Sequence, residues 1–332
     1  MVTGGWLMDP LTHGVIGIAL AKATGNEVSI ADAATAAVVV GAVFPDIDIV
    51  FQKWGDYVYL KNHRGITHSV LGLVTSSVFI AFLLNFFYPG YGLLNLAFWA
   101  LLGGISHTFF DIFNSYGAKL LWPFINKKFS LSLLTIFDPI FLISILGYIF
   151  TTGKFQNAFI IGFMVYLLFR VAMRLCVFKH LKKNFGKTSE KISLLPSMTG
   201  LFRWHFILEK KESSIVGEKN IFKKNVKLIK KLYKIQDDIL EKVSKSNVGK
   251  FFADFTPIFH VDRELAGGIT RYVFIDMRYY MRDKFLHHAI LEMDEDGKII
   301  TSSFNPYSIK RVSKIPEGFG SRGSIFSRII GA

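Results

Sequence analysis

Five apolar windows in the first 177 residues limit most strongly what this 332-residue chain can fold into. A helix needs roughly 20 mostly apolar residues to cross a membrane. Windows of about that length cover residues 31–50, 66–88, 91–113, 133–151 and 156–177. A shorter apolar stretch at residues 11–23 is expected to re-enter the membrane or to pack against the other helices. The sequence therefore predicts a polytopic α-helical membrane domain of about five spans over residues 1–177.

Composition and charge divide the chain into two predicted domains. Hydrophobic residues make up 51% of the chain, which is too apolar for an ordinary soluble protein. Residues 1–177 contain 10 Lys and Arg against 8 Asp and Glu, whereas residues 178–332 contain 29 against 17. In this basic second part, β-branched and aromatic segments predict strands at 201–208, 270–280, 285–293 and 298–303. A lysine-rich stretch at roughly 219–246 has helical periodicity, so residues 178–332 are predicted to form a soluble α+β domain.

Basic residues in the short loops predict the orientation of the spans, because cytoplasmic loops carry an excess of Lys and Arg. These residues flank alternate ends of the predicted spans: Lys53, Lys61, Arg64, Lys119, Lys127, Lys128, Lys179, Lys182 and Lys183. The chain is therefore expected to be a multi-pass protein of the cytoplasmic membrane, with residues 178–332 in the cytoplasm.

Three short polar motifs interrupt the apolar part: PDID at Pro45–Asp48, HRGITHS at His63–Ser69 and HTFFD at His107–Asp111. Residues 1–177 contain only eight acidic side chains and four histidines, and three of each lie in these motifs. An ionisable residue in a spanning segment costs about 2.5–3.5 kcal/mol on insertion scales, so such residues are functional candidates. His107 and Asp111 are four residues apart, on one helical face, and can hold a single metal ion.

The predicted topology places seven candidate ligands at one, cytoplasmic, membrane face: Asp46, Asp48, His63, His68, His107, Asp111 and Asp138. His13 becomes the eighth if the first segment enters from that side. Imidazole mixed with carboxylate is the ligand set of zinc, manganese or iron, of which zinc is favoured here. With eight candidates, two divalent ions are expected rather than one, bridged by Asp46 or Asp48. Two ions about 3.5–4 Å apart can activate water for attack on a phosphoester.

The same motifs contain the candidate catalytic residues, Asp46, Asp48, Arg64 and His68. Arg64 offers a guanidinium fork suited to phosphate, and its alternative role is a topogenic charge at the cytoplasmic side.

Five motifs between Asp9 and Pro139 resemble those of the YdjM-like family of bacterial inner-membrane proteins, described as LexA-regulated, membrane-bound metal-dependent hydrolases. The motifs are DPLTHG, FPDID, HRGITHS, GGISHTFFD and FDP. The resemblance implies a metal-dependent hydrolase and leaves its substrate open. The implied ligands are His13, Asp46, Asp48, His63, His68, His107 and Asp111.

A more distant similarity is to the zinc-dependent phospholipase C and P1 nuclease group, whose helical proteins use a metal cluster to cleave phosphoesters. That group has a further downstream histidine and glutamate without counterpart before residue 178. The difference favours a two-metal site completed by Asp138.

These observations predict a membrane-bound phosphoesterase whose substrate is a lipid. Its expected partners are membrane lipids and an anionic headgroup or phosphoester substrate, and no nucleic acid is expected. Two alternatives remain open at this point. The same side chains can form a metal-ion or proton path of a transporter, or a structural metal site in a non-catalytic membrane anchor.

Overall fold

The computed structural model of the protein describes residues 8–135, 138–281, 283–306 and 312–316. Helices form its first part: α1 (Met8–Ala23), α2 (Ala33–Val43), α3 (Asp56–Asn62), α4 (Val70–Asn85), α5 (Leu93–Phe113), α6 (Pro139–Phe150) and α7 (Gly153–Phe185). Two 3₁₀ segments, Phe44–Trp54 and Ile66–His68, carry parts of the first two polar motifs. Stretches of 3₁₀ helix are frequent at the ends of α-helices and as connectors between them.

The number of spans differs from the prediction. Among the described residues, three helical segments are long and apolar enough to cross a membrane: Ala33–Trp54, Leu93–Phe113 and Gly153–Phe185. A bent pair, Asp56–His68 with Val70–Asn85, adds a fourth if its two parts, inclined at 78°, count as one span. The predicted five spans are therefore wrong. Within the window at 133–151 lies α6, whose 12 residues extend about 18 Å, which is shorter than the roughly 30 Å hydrocarbon core.

Small residues let α2 and α5 pack backbone against backbone. A Cβ atom added to Gly41 would lie 2.1 Å from the carbonyl oxygen of Ala100, and one added to Gly103 would lie 2.1 Å from that of Val38. Only glycine fits at such a crossing. The close approach places the end of α2, and the PDID motif after it, beside the last turns of α5.

A first sheet packs on the C-terminal part of α7. Its strands are β1 (Lys191–Pro196), β2 (Arg203–Glu209), β3 (Ser213–Asn220) and β4 (Lys227–Tyr233), in that order. Met173, Val177 and Leu181 of α7 share a buried core with Trp204 and Phe206 of β2. The described residues up to Lys53, together with Asn62–Lys211 and Ile215–Lys230, form one compact unit with the membrane helices.

The predicted helix at roughly 219–246 is wrong. Its first part forms the end of β3 and all of β4, and only α8 (Asp237–Ser244) is helical. Pairing with β3 in the sheet outweighs the local periodicity of the lysine-rich segment.

The second compact unit contains Trp54–Lys61, Glu212–Ser214 and the described residues from Lys231 onward. Its elements are α8, α9 (Asn247–Phe255), β5 (Phe259–Ala266), β6 (Ile269–Asp276), β7 (Tyr280–Met281), β8 (Lys284–Phe285), β9 (His288–Met293), β10 (Ile299–Asn305) and β11 (Ser313–Lys314). Five of these strands form a sheet in the order β11-β10-β9-β6-β5. The soluble α/β region is thus confirmed, and the predicted strands correspond to β2, β6, β9 and β10.

Candidate metal centre

Three ligand candidates converge where the HRGITHS motif meets the end of α5. His107 Nε2 lies 3.0 Å from His68 Nε2 and 3.6 Å from Asp111 Oδ2. The Nε2 atom of His68 lies 3.3 Å from the same carboxylate oxygen. Both histidines are 0% exposed and Asp111 is 1% exposed, so the group is sealed from solvent.

Asp46 completes this group from the 3₁₀ segment that follows α2. Its Oδ1 atom lies 3.7 Å from His68 Nε2 and 3.6 Å from His107 Nε2. These separations exceed a hydrogen bond. Ligand atoms bound tetrahedrally at about 2.0–2.1 Å lie about 3.4 Å apart, so the spacing is that of atoms around one metal ion.

Asp46 also belongs to a second group, with Asp48 and His63. In this group one ligand atom from each residue lies within 4.8 Å of the others. His63 Nδ1 donates to Asp48 Oδ1 at 2.9 Å, and the backbone N–H of Arg64 donates to Asp48 Oδ2 at 3.0 Å. Asp46 is thus shared between two of the ligand groups.

His13 of α1 joins the cluster from the opposite side. It forms a third ligand group with His107 and Asp111. Its Nε2 atom lies 3.5 Å from Asp111 Oδ1, and its ring stacks on that of His107 at a centroid distance of 3.6 Å. Seven of the eight predicted ligands are therefore brought together in overlapping groups.

The hydrogen bonding of the cluster fits a bound cation. Within the described residues, both carboxylate oxygens of Asp46, Oδ2 of Asp111 and Nδ1 of His13 are buried without a hydrogen-bond partner. Buried carboxylate oxygens are rarely left in this state, because desolvation without compensation is costly. His107 Nδ1 donates to the carbonyl oxygen of Ala42 at 2.6 Å, which directs Nε2 toward the cluster, as is usual for metal-binding histidines.

Arg64 contacts the cluster through its guanidinium group. The residue is 3% exposed and has a positive φ of 59°. Its Nη2 atom lies 2.9 Å from Asp111 Oδ1, and Nη1 donates to Asn114 Oδ1 at 2.9 Å. Arg64 therefore orients Asp111, and contact with a phosphate stays a prediction.

Asp138 is the one predicted ligand that lies outside all three groups found among the described residues. It caps α6, where Oδ1 accepts from the backbone N–H groups of Ile140 and Phe141 at 3.1 and 3.2 Å. Its Oδ2 accepts from the hydroxyl group of Tyr166 at 2.6 Å. Both oxygens are thus occupied by the protein, although Asp138 lines a cavity of about 40 Å³ beside His13.

Sequence reasoning missed Asn114, which supports the cluster from the end of α5. Its Oδ1 accepts from Arg64 and from the backbone N–H groups of Tyr116 and Gly117. The available signal was its position three residues after Asp111, where a side chain reaches the same end of the helix.

Comparison with known proteins gives the family of the helical part of the chain. The family described as YdjM inner membrane protein matches residues 8–181, more than half of the chain. This chain belongs to the YdjM inner membrane protein family. The match contains all seven clustered ligands, two of the candidate spans and all but the last four residues of the third, so the chain is a membrane protein.

The rest of the chain also has known relatives. The YfhP C-terminal alpha/beta plait domain family matches residues 238–315. The YfhP protein of Bacillus subtilis (strain 168) is 30% identical over 311 residues, covering 89% of this chain and 94% of the relative. No solved structure matches the chain.

Proposed function

We propose that this YdjM-family protein is a membrane-bound metal-dependent hydrolase that cleaves a phosphoester bond in a lipid. The observation that carries the proposal is the position of Asp46. It is shared between two ligand groups, and neither of its oxygens has a hydrogen-bond partner among the described residues. A carboxylate in this position suits a bridge between two divalent ions, with zinc favoured over manganese or iron.

The residues divide into three roles. His68, His107, Asp111 and His13 would hold one ion with Asp46, and Asp48 and His63 would hold the other. Two ions in such a site polarise a phosphoryl oxygen and activate a water molecule. Arg64 would keep Asp111 in place through the Nη2 contact at 2.9 Å.

A lipid substrate is supported by the apolar residues within the motifs. Ile47 lies between Asp46 and Asp48, and its side chain is 46% exposed. Ile66 is 52% exposed and Phe109 is 53% exposed, within motifs whose ligands are buried apart from the partly exposed His63. The motifs thus turn their ligands inward and apolar side chains outward, which suits a site reached from the lipid phase.

We also propose that the site and the basic region from residue 178 face the cytoplasm, with anionic headgroups as partners. The support is the distribution of Lys and Arg in the short loops. Reporter fusions after Phe185 and within the Phe86–Gly92 turn would test this orientation. Cytoplasmic reporter activity at the Phe86–Gly92 turn together with its absence after Phe185 would contradict it.

Metal analysis of the detergent-purified protein, followed by a phosphoester substrate screen with and without chelator, tests the hydrolase proposal. We expect about two transition-metal ions per chain and chelator-sensitive hydrolysis. The Asp46→Asn variant keeps the side-chain shape, and we expect it to lose both properties. Asp238→Asn, the same change at an exposed position in α8, is the matched control.

Two results would contradict the proposal. One is a wild-type protein that retains no stoichiometric metal even when metal is supplied during purification. The other is an Asp46→Asn variant that hydrolyses every phospholipid and nucleotide substrate of the wild type at an unchanged rate.

A further inference from the structure

Three exposed phenylalanines form a continuous aromatic patch on the compact unit that contains the membrane helices. Phe169 lies on α7, Phe202 in the β1–β2 loop and Phe222 in the β3–β4 loop, and they are 41%, 41% and 74% exposed. The ring centroid of Phe202 lies 6.2 Å from that of Phe169 and 5.2 Å from that of Phe222. A contiguous group of exposed aromatic rings marks an interaction surface.

Specific contacts hold the two loops together. The backbone N–H of Ile221 donates to the carbonyl oxygen of Phe202 at 3.2 Å, which joins one loop to the other. The ammonium group of Lys219, a residue only 5% exposed, donates to the carbonyl oxygens of Lys223 and Lys224, the latter at 2.9 Å. The β3–β4 loop is therefore braced from within, and its aromatic residue is left facing outward.

The patch is attached to α7 at the level where the uncharged part of this helix ends. Residues 155–169 contain no charged side chain, and Arg170 follows directly. The guanidinium group of Arg170 donates to the carbonyl oxygen of Leu201 and lies 4.6 Å from the ring centroid of Trp204. Trp and Tyr are enriched at this level of membrane proteins, where hydrocarbon meets headgroups, and Phe accompanies Trp on the apolar faces of segments that lie in this interface.

Positive charge accompanies the aromatic rings. The two loops, residues 197–202 and 221–226, contain the exposed Lys223 and Lys224 and no acidic residue. A basic segment beside a membrane helix is attracted to anionic lipid headgroups.

We infer that this patch is a second contact between the protein and the bilayer. The rings of Phe202 and Phe222 insert at the boundary of headgroups and acyl chains, beside Phe169, and the two loop lysines bind anionic headgroups. An anionic lipid surface is the occupant because the patch continues the exposed apolar side of α7, where Leu168 is 67% exposed, and carries positive charge. The contact holds the β1–β4 sheet against the membrane independently of the metal centre.

The depth of a nitroxide spin label in lipid nanodiscs tests this inference. The lone cysteine is first replaced (Cys176→Ser), and a single label is then attached through Asn225→Cys, an exposed position in the β3–β4 loop. Lys211→Cys is the matched control, because it is exposed in the β2–β3 turn at the opposite end of the same sheet. The measured quantity is the ratio of collisions with oxygen to collisions with a water-soluble nickel chelate.

In nanodiscs with anionic lipid, we expect a ratio severalfold higher at position 225 than at position 211. The ratio at 225 should fall toward the control value after Phe222→Asp, and should fall partly when zwitterionic lipid replaces the anionic lipid. Equal ratios at the two positions would overturn the inference. A label at position 225 that is shielded from both oxygen and the nickel chelate would also overturn the inference if it showed spin–spin broadening that is lost on dilution with unlabelled protein. In that case a second copy of the chain would cover the patch.

Discussion

The close packing of α2 on α5 sets the position of the metal ligands, and Gly103→Ala is the change that perturbs it most directly. The new Cβ atom would lie 2.1 Å from the carbonyl oxygen of Val38 and 2.7 Å from the backbone nitrogen of Ala42, whereas ordinary contacts begin at 3.4 Å. Both neighbours are backbone atoms and cannot rotate away. The two helices must therefore separate by roughly 1 Å, since a packed interior has no free space to absorb the clash.

This separation of α2 from α5 changes the distances between the candidate metal ligands. His107 lies four residues after Gly103, on the same face of α5. Its Nδ1 donates to the carbonyl oxygen of Ala42, on α2, at 2.6 Å, and its Nε2 lies 3.6 Å from Asp46 Oδ1. Overpacking costs about 1–3 kcal/mol, and loss of the hydrogen bond costs about 1 kcal/mol. The higher helix propensity of Ala offsets up to about 1 kcal/mol of this cost. We therefore expect the free energy of unfolding to fall by about 1–4 kcal/mol, with loss of bound metal.

The assay combines thermal unfolding in detergent with metal content per chain. Gly162→Ala on α7 is the matched control, because a Cβ atom there meets no heavy atom within 4 Å. In a helix this control change is expected to be neutral or to stabilise by up to about 1 kcal/mol. The reasoning is refuted if Gly103→Ala unfolds at the wild-type temperature and retains the wild-type metal content.

Three further predictions concern single side chains. Arg64→Lys cannot reproduce the guanidinium fork that holds Asp111. We therefore expect metal affinity, measured by chelator competition, to fall roughly 10–100-fold. Unchanged affinity would show that Arg64 does not position Asp111. Asp138→Ala removes the cap of α6 and should lower the free energy of unfolding by about 1 kcal/mol, while metal content stays at the wild-type level. Loss of metal would instead restore Asp138 as a ligand. Burial lowers the pKa of His287 to about 4 from an ordinary 6.5. Between pH 6.5 and about 4, His287 is therefore protonated in the unfolded chain and neutral in the folded chain. The free energy of unfolding should decrease as pH falls through this range, by up to roughly 3 kcal/mol at its lower end. The free energy of unfolding should differ less between pH 5 and pH 7.5 for His287→Gln than for the wild type. An equal difference would contradict the lowered pKa of His287.

Local sequence patterns were sufficient for much of the secondary structure and for the chemistry of the candidate site. The apolar windows at 31–50, 91–113 and 156–177 correspond to the three candidate spans, because a spanning helix must be apolar along its whole length. The spacing of His107 and Asp111 is enough to place both on one face of α5, because residues four apart are neighbours on a helix.

Other features depend on contacts that no local pattern contains. Asp46 and Asp138 are both acids near the end of an apolar segment. The difference between them arises because Asp46 meets His68 and His107 from other elements, whereas Asp138 meets the hydroxyl group of Tyr166, 28 residues away. The strand at Lys227–Tyr233 forms because β3 offers it a hydrogen-bonding edge, against its own helical periodicity.

The sequence by itself thus determined that the chain enters a membrane and which side chains are available to bind metal. Only the tertiary structure decided how many helices are long enough to span and which acids remain without hydrogen-bond partners. The physical reason is that hydropathy and spacing are properties of neighbouring residues. Burial and hydrogen-bond satisfaction are set by residues that the fold brings together from distant parts of the chain.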